Sequence, residues 1–339
     1  MLYLLEPLRV IFALFESLVV FFGVIGNSQQ LTMPGDYIFK LNRTGIFENR
    51  AQDAIPQTAM YGIILDHFTR ERTDGKSPKC LVIGYDGARA DALTVTKGDP
   101  KAGTQALKDG GGAVYNAFCG GNLPYLQPTI TGPGWTTLLT GHWAKGSGGH
   151  GVADNDTSKP ADGPKLIFTE LLKRGLTGKT AFAVSWGGHF TDKNASYKYD
   201  IGYCAEKALN AEWFTEDNDE GTYERTLAEV KKSDAGMVMC ILEYCDHNGH
   251  GTGPGTGFGN YNGNYVQGIK DSERDAYNLI QAVKARPTYS QEDWLILITT
   301  DHGGTFNGHG LHFADTRQTW LASNKKLDFG KQKKNWFIF

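Results

Sequence analysis

Cysteine is scarce in this chain of 339 residues: five in all, at positions 80, 119, 204, 240 and 245, with no CxxC spacing. Cys80, Cys240 and Cys245 lie in or beside apolar runs, so the set reads as buried and reduced instead of a disulfide framework. Charge of one sign is also missing. A net charge of -3 and a pI near 6.3 give no bulk reason to expect a nucleic-acid polymer or an anionic membrane as partner. Internal repeats and low-complexity linkers are absent, which excludes solenoid and tethered-module architectures.

A clean basic leader is lacking too, although residues 2–26 are strongly apolar. Glu6 precedes Arg9, and Glu16 interrupts the run Val10–Gly26, which weakens a stable membrane span. Val24-Ile25-Gly26 nevertheless offers a small-residue cleavage site before Asn27. Three readings stand: an export signal or signal anchor, a packed N-terminal helix, or a mis-assigned start. Membrane contact is expected only if residues 2–26 anchor the chain. The protein is then exported or anchored, and otherwise cytoplasmic. The sequons at Asn42 and Asn194 matter only in a eukaryotic secretory pathway.

What is present is ordinary for a folded protein: 40% apolar and 21% charged residues. The length suits one large α/β domain, or a domain plus a lobe. We expect an apolar N-terminal segment over 1–30 and a single domain over 31–339. Residues 187–220, polar, aromatic and irregular, form either a cap over the crevice or a surface excursion. Glycine is frequent, at 43 residues, and is concentrated in loops between Gly110 and Gly151 and between Gly249 and Gly263, where a backbone can approach a ligand closely. Strands are expected to end at Asp86, over Ala113–Phe118 and over Lys179–Trp186. Helices are expected from Ile55 to Leu65, from Ala88, and over Trp135–Thr140, Lys165–Arg174, Tyr223–Lys232 and Asn264–Ala285. Alternating strands and helices imply a mostly parallel, mixed central sheet with helices on both faces.

The chemistry lies where hydrophobic runs stop. Cys80–Tyr85 runs into Asp86, Met237–Leu242 leads to Asp246 and His250, and Leu295–Ile298 runs through two threonines into Asp301-His302, with His309 beyond. Buried parallel strands of an open sheet deliver their carboxyl ends to one crevice, where ligands bind. A single Asp or His at a strand end is usually structural; this many together point to a metal site. Gly249 allows the tight turn that brings Asp246 and His250 to one ion. Oxygen and imidazole donors without cysteine favour zinc or another catalytic divalent transition metal. Thr131, in Thr131-Gly132-Pro133, reads either as a helix N-cap or as a nucleophile at a positive helix end.

These motifs, taken in order, resemble the alkaline phosphatase superfamily, and within it the nucleotide pyrophosphatase/phosphodiesterase branch. Asp86-Gly87-Ala88-Arg89 matches the family's Asp-Gly-x-Arg, and Thr131-Gly132-Pro133 with Thr140-Gly141 matches its nucleophile motif. His150-Gly151, Asp154-Asn155, Asp246 to His250, Asp301-His302-Gly303 and His309-Gly310 follow in family order. The resemblance implies an alkaline-phosphatase-like catalytic domain holding two divalent metal ions, zinc by default, with manganese or iron as alternatives in the carboxylate-rich half. Asp246, His250 and His309 would hold one ion. Asp86, Asp301, His302 and Thr131 would hold the other. His309 is preferred to His312 because it sits in Gly-His-Gly, and His247 is taken as structural. The implied reaction is in-line phosphoryl transfer to Thr131 through a phosphothreonine intermediate, with the Asn155 amide on a non-bridging oxygen. The substrate would be a small-molecule phosphate diester or nucleotide pyrophosphate.

Several positions depart from the family pattern. Gly134-Trp135 replaces the usual Asn-His, and no Asp-Ile-x-Pro-Thr segment precedes Phe339, which puts the last strand in question. Thr131 and Trp135 also stand where a sulfatase needs Cys/Ser-x-Pro-x-Arg, which argues against sulfate esters. Phe258, Tyr261, Tyr265, Trp135 and Trp143 read first as packing and second as platforms for an aromatic leaving group. Arg89 reads as packing beside the first strand. The alternatives are a phosphomonoesterase, a phosphonate hydrolase or a phosphotransferase at the same two-metal site, and a metal-stabilised protein without turnover.

Overall fold

Leu81, Ile83 and Tyr85 join one hydrophobic core while Cys80 and Val82 join another, and all five are fully buried. A strand covered on both faces is what a continuous apolar run predicts. The computed structural model describes residues 46–49, 53–122, 125–155, 163–232, 234–251 and 255–329. The apolar segment at 2–26, the sequon at Asn42 and the chain end from 330 lie outside them. Among the described residues no helix is long and apolar enough to cross a membrane.

The strands are β1 (Ile55–Pro56), β2 (Ser77–Tyr85), β3 (Ala113–Phe118), β4 (Gly121–Asn122), β5 (Tyr125–Leu126), β6 (Thr180–Val184), β7 (Ala211–Thr215), β8 (Met237–Leu242), β9 (Glu292–Thr299) and β10 (Gln318–Ser323). Eight of them form one sheet in the order β1-β3-β10-β9-β2-β8-β6-β7, and β4 pairs with β5 in a separate hairpin. Every pairing in the large sheet is parallel except those of β10, which runs antiparallel to β3 and β9. This is the expected mixed, mostly parallel sheet, and its last strand is present.

Helices cover both faces. On one side Gly263–Lys284 places Ile269, Ala276, Leu279, Ile280 and Val283 against Leu81, Val238 and Ile296. Their three- and four-residue spacing makes a single apolar stripe, and the Asn262 side chain caps the helix by accepting from Asn264 N at 3.0 Å. On the other side Ala59–Thr69, Thr131–Thr140 and Ile167–Lys173 cover Val82, Met239 and Leu297. The result is a three-layer α/β/α domain.

Local differences from the sequence reading have physical causes. Ile55–Pro56 pairs as a short edge strand before its helix, and the segment after Asp86 forms a 3-10 helix over Ala90–Thr96. Residues 187–220 are less irregular than expected: they contain the helix Lys198–Glu206 and the edge strand β7. That strand is only half-buried, so it lacks the apolar run that marks the central strands. All five cysteines are free and buried, as read from their surroundings.

The same segment carries His189, fully buried with neither ring nitrogen hydrogen-bonded, stacked on Tyr197 at 5.3 Å and edge-on to Trp186 at 4.8 Å. Burial pushes its pKa down to about 3. A folded-state value below the unfolded one near 6.5 means that the stabilising contribution is present above pH 6.5 and is lost as pH falls towards 3. At pH 5.5 this one group should cost about 1.4 kcal/mol relative to pH 8. Urea melts of wild type and His189→Phe at both pH values check this. The variant should lose less stability on acidification by that amount, and equal losses would refute it.

Candidate metal centre

Strand register brings the acidic residues together. The last paired position of β2 and β9 is Gly84 with Thr299, and Asp86 and Asp301 each lie two residues beyond it. On the other side Tyr85 pairs with Leu242, after which a turn of helix, Tyr244–Gly249, carries Asp246 back over the sheet edge and presents His250 at its end. Gly87 makes this approach possible. It has φ +66, and a Cβ there would lie 2.8 Å from an Asp246 carboxylate oxygen.

Two groups of donors result, each with its ligating atoms within 4.8 Å of one another: Asp246, His250 and His309, and Asp86, Asp246 and His302. Asp246 is common to both. Its Oδ2 lies 3.3 Å from His250 Nε2 and its Oδ1 3.3 Å from His309 Nε2. The two imidazole nitrogens face each other at 2.9 Å. His302 Nε2 is 3.5 Å from Asp86 Oδ1 and 3.4 Å from Asp301 Oδ2, and its ring stacks on His309 at 4.0 Å. His312 does not enter either group, and His247 is exposed.

The histidines share one arrangement. Nδ1 of His250 faces the Asn307 carbonyl at 3.1 Å, that of His309 the Thr129 carbonyl at 3.2 Å, and that of His302 the Gly303 carbonyl at 2.8 Å. Donation of Nδ1–H to a carbonyl fixes the tautomer and leaves Nε2 as a lone-pair donor. Each of the three Nε2 atoms points into the cluster.

Electrostatics favour cations here. Burial, followed by the charge of Asp246, pushes the Asp86 carboxyl well above the usual carboxylate range, and burial with the charge of Asp86 does the same to Asp301. Burial also opposes ionisation of Asp246, but the adjacent His250 and His309 imidazoles outweigh it and hold that carboxyl below its usual range. His302 is pushed down to about 3 by burial and then by His309, so it is neutral, the form a metal requires. Asp246 Oδ1, Asp301 Oδ2 and His302 Nε2 are buried without a hydrogen bond. Buried acceptors left this way are costly unless something cationic binds them. The donor set therefore fits divalent cations, with nitrogen and oxygen chemistry suited to zinc, manganese or iron.

Thr131 opens the ten-residue helix Thr131–Thr140, whose N-cap is Ile130. The threonine is thus the first helical residue and not the cap, and its Oγ1 lies 3.4 Å from Asp86 Oδ1. Pro133, in the first turn, needs no intrahelical N–H partner, so it is tolerated there. The next backbone N–H, on Gly132, donates to Asn155 Oδ1 at 2.8 Å. A buried chain of polar groups supports this end of the helix: Gln127 Nε2 donates to the Pro133 carbonyl at 3.2 Å, and Thr137 Oγ1 contacts both Gln127 and His150.

Two participants were not assigned from sequence. Glu243, directly after β8, has a buried carboxylate oxygen without a hydrogen bond, and burial with the charges of Asp86 and Asp246 raises its pKa well above the usual range. Its position one residue past an apolar run was the available signal. Trp135, read as packing, is fully buried but also donates from Nε1 to Asp86 Oδ2 at 2.7 Å. Phe258 and Tyr265 are packing residues at 0% exposure, Tyr261 is exposed, and Trp143 stacks on Phe118. Arg89 is buried and bound to Asp91 and Asp315.

A mostly parallel sheet, covered on both faces, with carboxylate–imidazole groups at its strand ends defines an alkaline-phosphatase-like α/β protein. Residues 80–322 match the family described as type I phosphodiesterase / nucleotide pyrophosphatase, and the chain belongs to that family, part of the alkaline phosphatase superfamily. Comparison with curated proteins yields no match. Solved structures that resemble it include an inactive variant of murine ectonucleotide pyrophosphatase/phosphodiesterase 5 in complex with AMP (18% identity, 67% of this chain and 57% of that one, TM-score 0.43). Human ectonucleotide pyrophosphatase/phosphodiesterase 5 is similar at 20% identity over 66% of this chain and 57% of that one (TM-score 0.43). The alkaline phosphatase of the Antarctic bacterium TAB5 follows at 14% identity over 73% and 91% (TM-score 0.45). The match thus spans 57% of the length of the two ectonucleotide proteins. Family membership and the two donor groups support metal-dependent phosphoester hydrolysis.

Proposed function

We propose that the protein hydrolyses phosphate diesters or nucleotide pyrophosphates of small molecules, with Thr131 as nucleophile and a phosphothreonine intermediate. The observation that carries this reading is the placement of Thr131 Oγ1, 3.4 Å from Asp86 Oδ1 at the positive end of a buried helix. One divalent cation would be held by Asp246, His250 and His309, and a second by Asp86, His302 and Asp301, with Asp246 within reach of both. Cations there supply Lewis-acid charge that eases deprotonation of a hydroxyl and stabilises a departing oxygen.

The chain's own residues do the rest. Thr131 Oγ1 attacks phosphorus and forms the new P–O bond as the bond to the leaving oxygen breaks; its proton faces Asp86 Oδ1. Water then cleaves the Thr131 ester and returns the hydroxyl. Asn155 accepts from Gly132 N through Oδ1, which leaves its amide Nδ2 as the donor for a non-bridging phosphate oxygen. The helix N-terminus stabilises the same phosphoryl charge.

The test compares bis-p-nitrophenyl phosphate with p-nitrophenyl phosphate before and after chelation. Diester turnover should exceed monoester turnover and fall about a thousandfold on metal removal, with recovery on adding zinc or manganese. Monoester preference would move the protein to a phosphomonoesterase. Full activity after chelation would overturn the reading.

A further inference from the structure

We infer that Trp135 is a positioning residue for the metal centre, its indole N–H fixing the orientation of Asp86; the inference rests on the metal reading above. Both side chains are 0% exposed. Indole is a donor with no acceptor capacity, so the 2.7 Å bond from Nε1 commits Asp86 Oδ2 to the indole. The other oxygen, Oδ1, is then the one that faces Thr131 Oγ1 at 3.4 Å and His302 Nε2 at 3.5 Å. Asp301 divides its oxygens in the same way: Oδ1 accepts from Gly87 N at 3.2 Å, and Oδ2 is left without a hydrogen bond.

The surroundings are shaped for this ring. A Cβ on Gly84 would lie 2.3 Å from Trp135 Cη2, so β2 omits a side chain where the indole lies. A Cβ on Gly134 would lie 3.0 Å from that of Asp301. The Gly134-Trp135 pair therefore lets one helix end close on both carboxylates: the glycine admits Asp301 and the tryptophan holds Asp86. Simple packing would require the volume of the ring but not its N–H. Outer partners that orient a metal-binding carboxylate contribute about 10- to 100-fold in metal affinity.

The experiment is a zinc titration against a competing chelator, on the full chain as wild type, Trp135→Phe and Trp294→Phe. Trp294 is the control, because its buried indole donates at 2.8 Å to Glu292, outside both donor groups. Trp135→Phe should weaken one of two zinc sites 10- to 100-fold and leave the other within about threefold, while Trp294→Phe should match wild type. Equal affinities in Trp135→Phe and wild type would overturn the inference and leave the metal reading standing. A wild type that binds no zinc would remove the metal reading and the inference with it. If Trp135→Phe does not fold, indole ¹⁵N spectra of the wild type decide. Zinc should shift a solvent-protected indole N–H signal among the seven tryptophans, and a spectrum in which no such signal moves overturns the inference.

Discussion

Thr131→Ala is expected to lower turnover of a phosphate diester by about 10⁴-fold or more while leaving zinc binding at Asp246, His250 and His309 within a fewfold of wild type. In the proposed mechanism the threonine oxygen forms the covalent bond to phosphorus, and no neighbouring group replaces it. Asp86 Oδ1 accepts from that hydroxyl and Asn155 Oδ1 accepts from Gly132 N, so both neighbours are already engaged in holding the helix start. The folding cost should be small. Thr131 is not the helix cap, and its removal deletes one methyl and one hydroxyl at the helix start. Thr131→Ser keeps the nucleophilic oxygen and should retain a measurable fraction of activity. Acid-quenched turnover followed by mass spectrometry should find phosphate on the peptide containing Thr131. A Thr131→Ala variant with more than about a tenth of wild-type activity would remove covalent catalysis at this residue.

The parts of this arrangement that could be read from sequence are those set by local pattern. The central strands β2, β8 and β9 are continuous apolar runs, and a strand that ends on Asp announces where its carboxyl end lies. The helix Gly263–Lys284 is legible from local pattern too: its apolar residues recur at helical spacing from Tyr265 to Val283. By contrast β7 is half-buried and β1 only two residues long, so tertiary pairing and not composition defines them. Sequence pattern starts the helix Thr131–Thr140 four residues late, at Trp135, because Thr131-Gly132-Pro133-Gly134 reads as a turn. Burial of all ten residues of this helix outweighs that propensity.

Residue types at the site were legible, and their division of labour was not. A donor at a strand end can be counted from sequence; which two donors approach one point depends on strand register and on the turn that follows. Asp246 shows this. The motif places it with His250, four residues away, but only the return of the Tyr244–Gly249 turn over Gly87 brings it beside Asp86 and His302 as well. The Trp135 hydrogen bond was hidden in the same way, since it needs the space left by Gly84 on a strand fifty-one positions earlier. Hydrophobic pattern gave Trp135 a place in the core, and nothing in it gives the direction of the N–H.

The shared position of Asp246 leads to the second large effect. Asp246→Asn, nearly isosteric, should weaken both metal sites, by about 100-fold or more each, whereas His250→Ala should weaken one. Among the described residues the Asp246 carboxylate is the anion paired with both His250 and His309, with one oxygen 3.3 Å from each Nε2. An amide keeps the shape but loses the charge, and it presents an NH₂ to one of two nitrogens that must both remain acceptors for metal. His250, at the edge of the centre and about half-exposed, belongs to a single donor group. Metal content per chain after gel filtration should therefore fall from two in wild type to about one in His250→Ala and below one in Asp246→Asn. Thermal melts provide the independent readout. A metal bound at 100 times its dissociation constant adds about 2.7 kcal/mol per site, so the zinc-induced rise in Tm should be largely lost in Asp246→Asn and partly kept in His250→Ala. If Asp246→Asn retains two metals and the full zinc-dependent rise, the carboxylate is a hydrogen-bond partner of the histidines and not a ligand common to two ions.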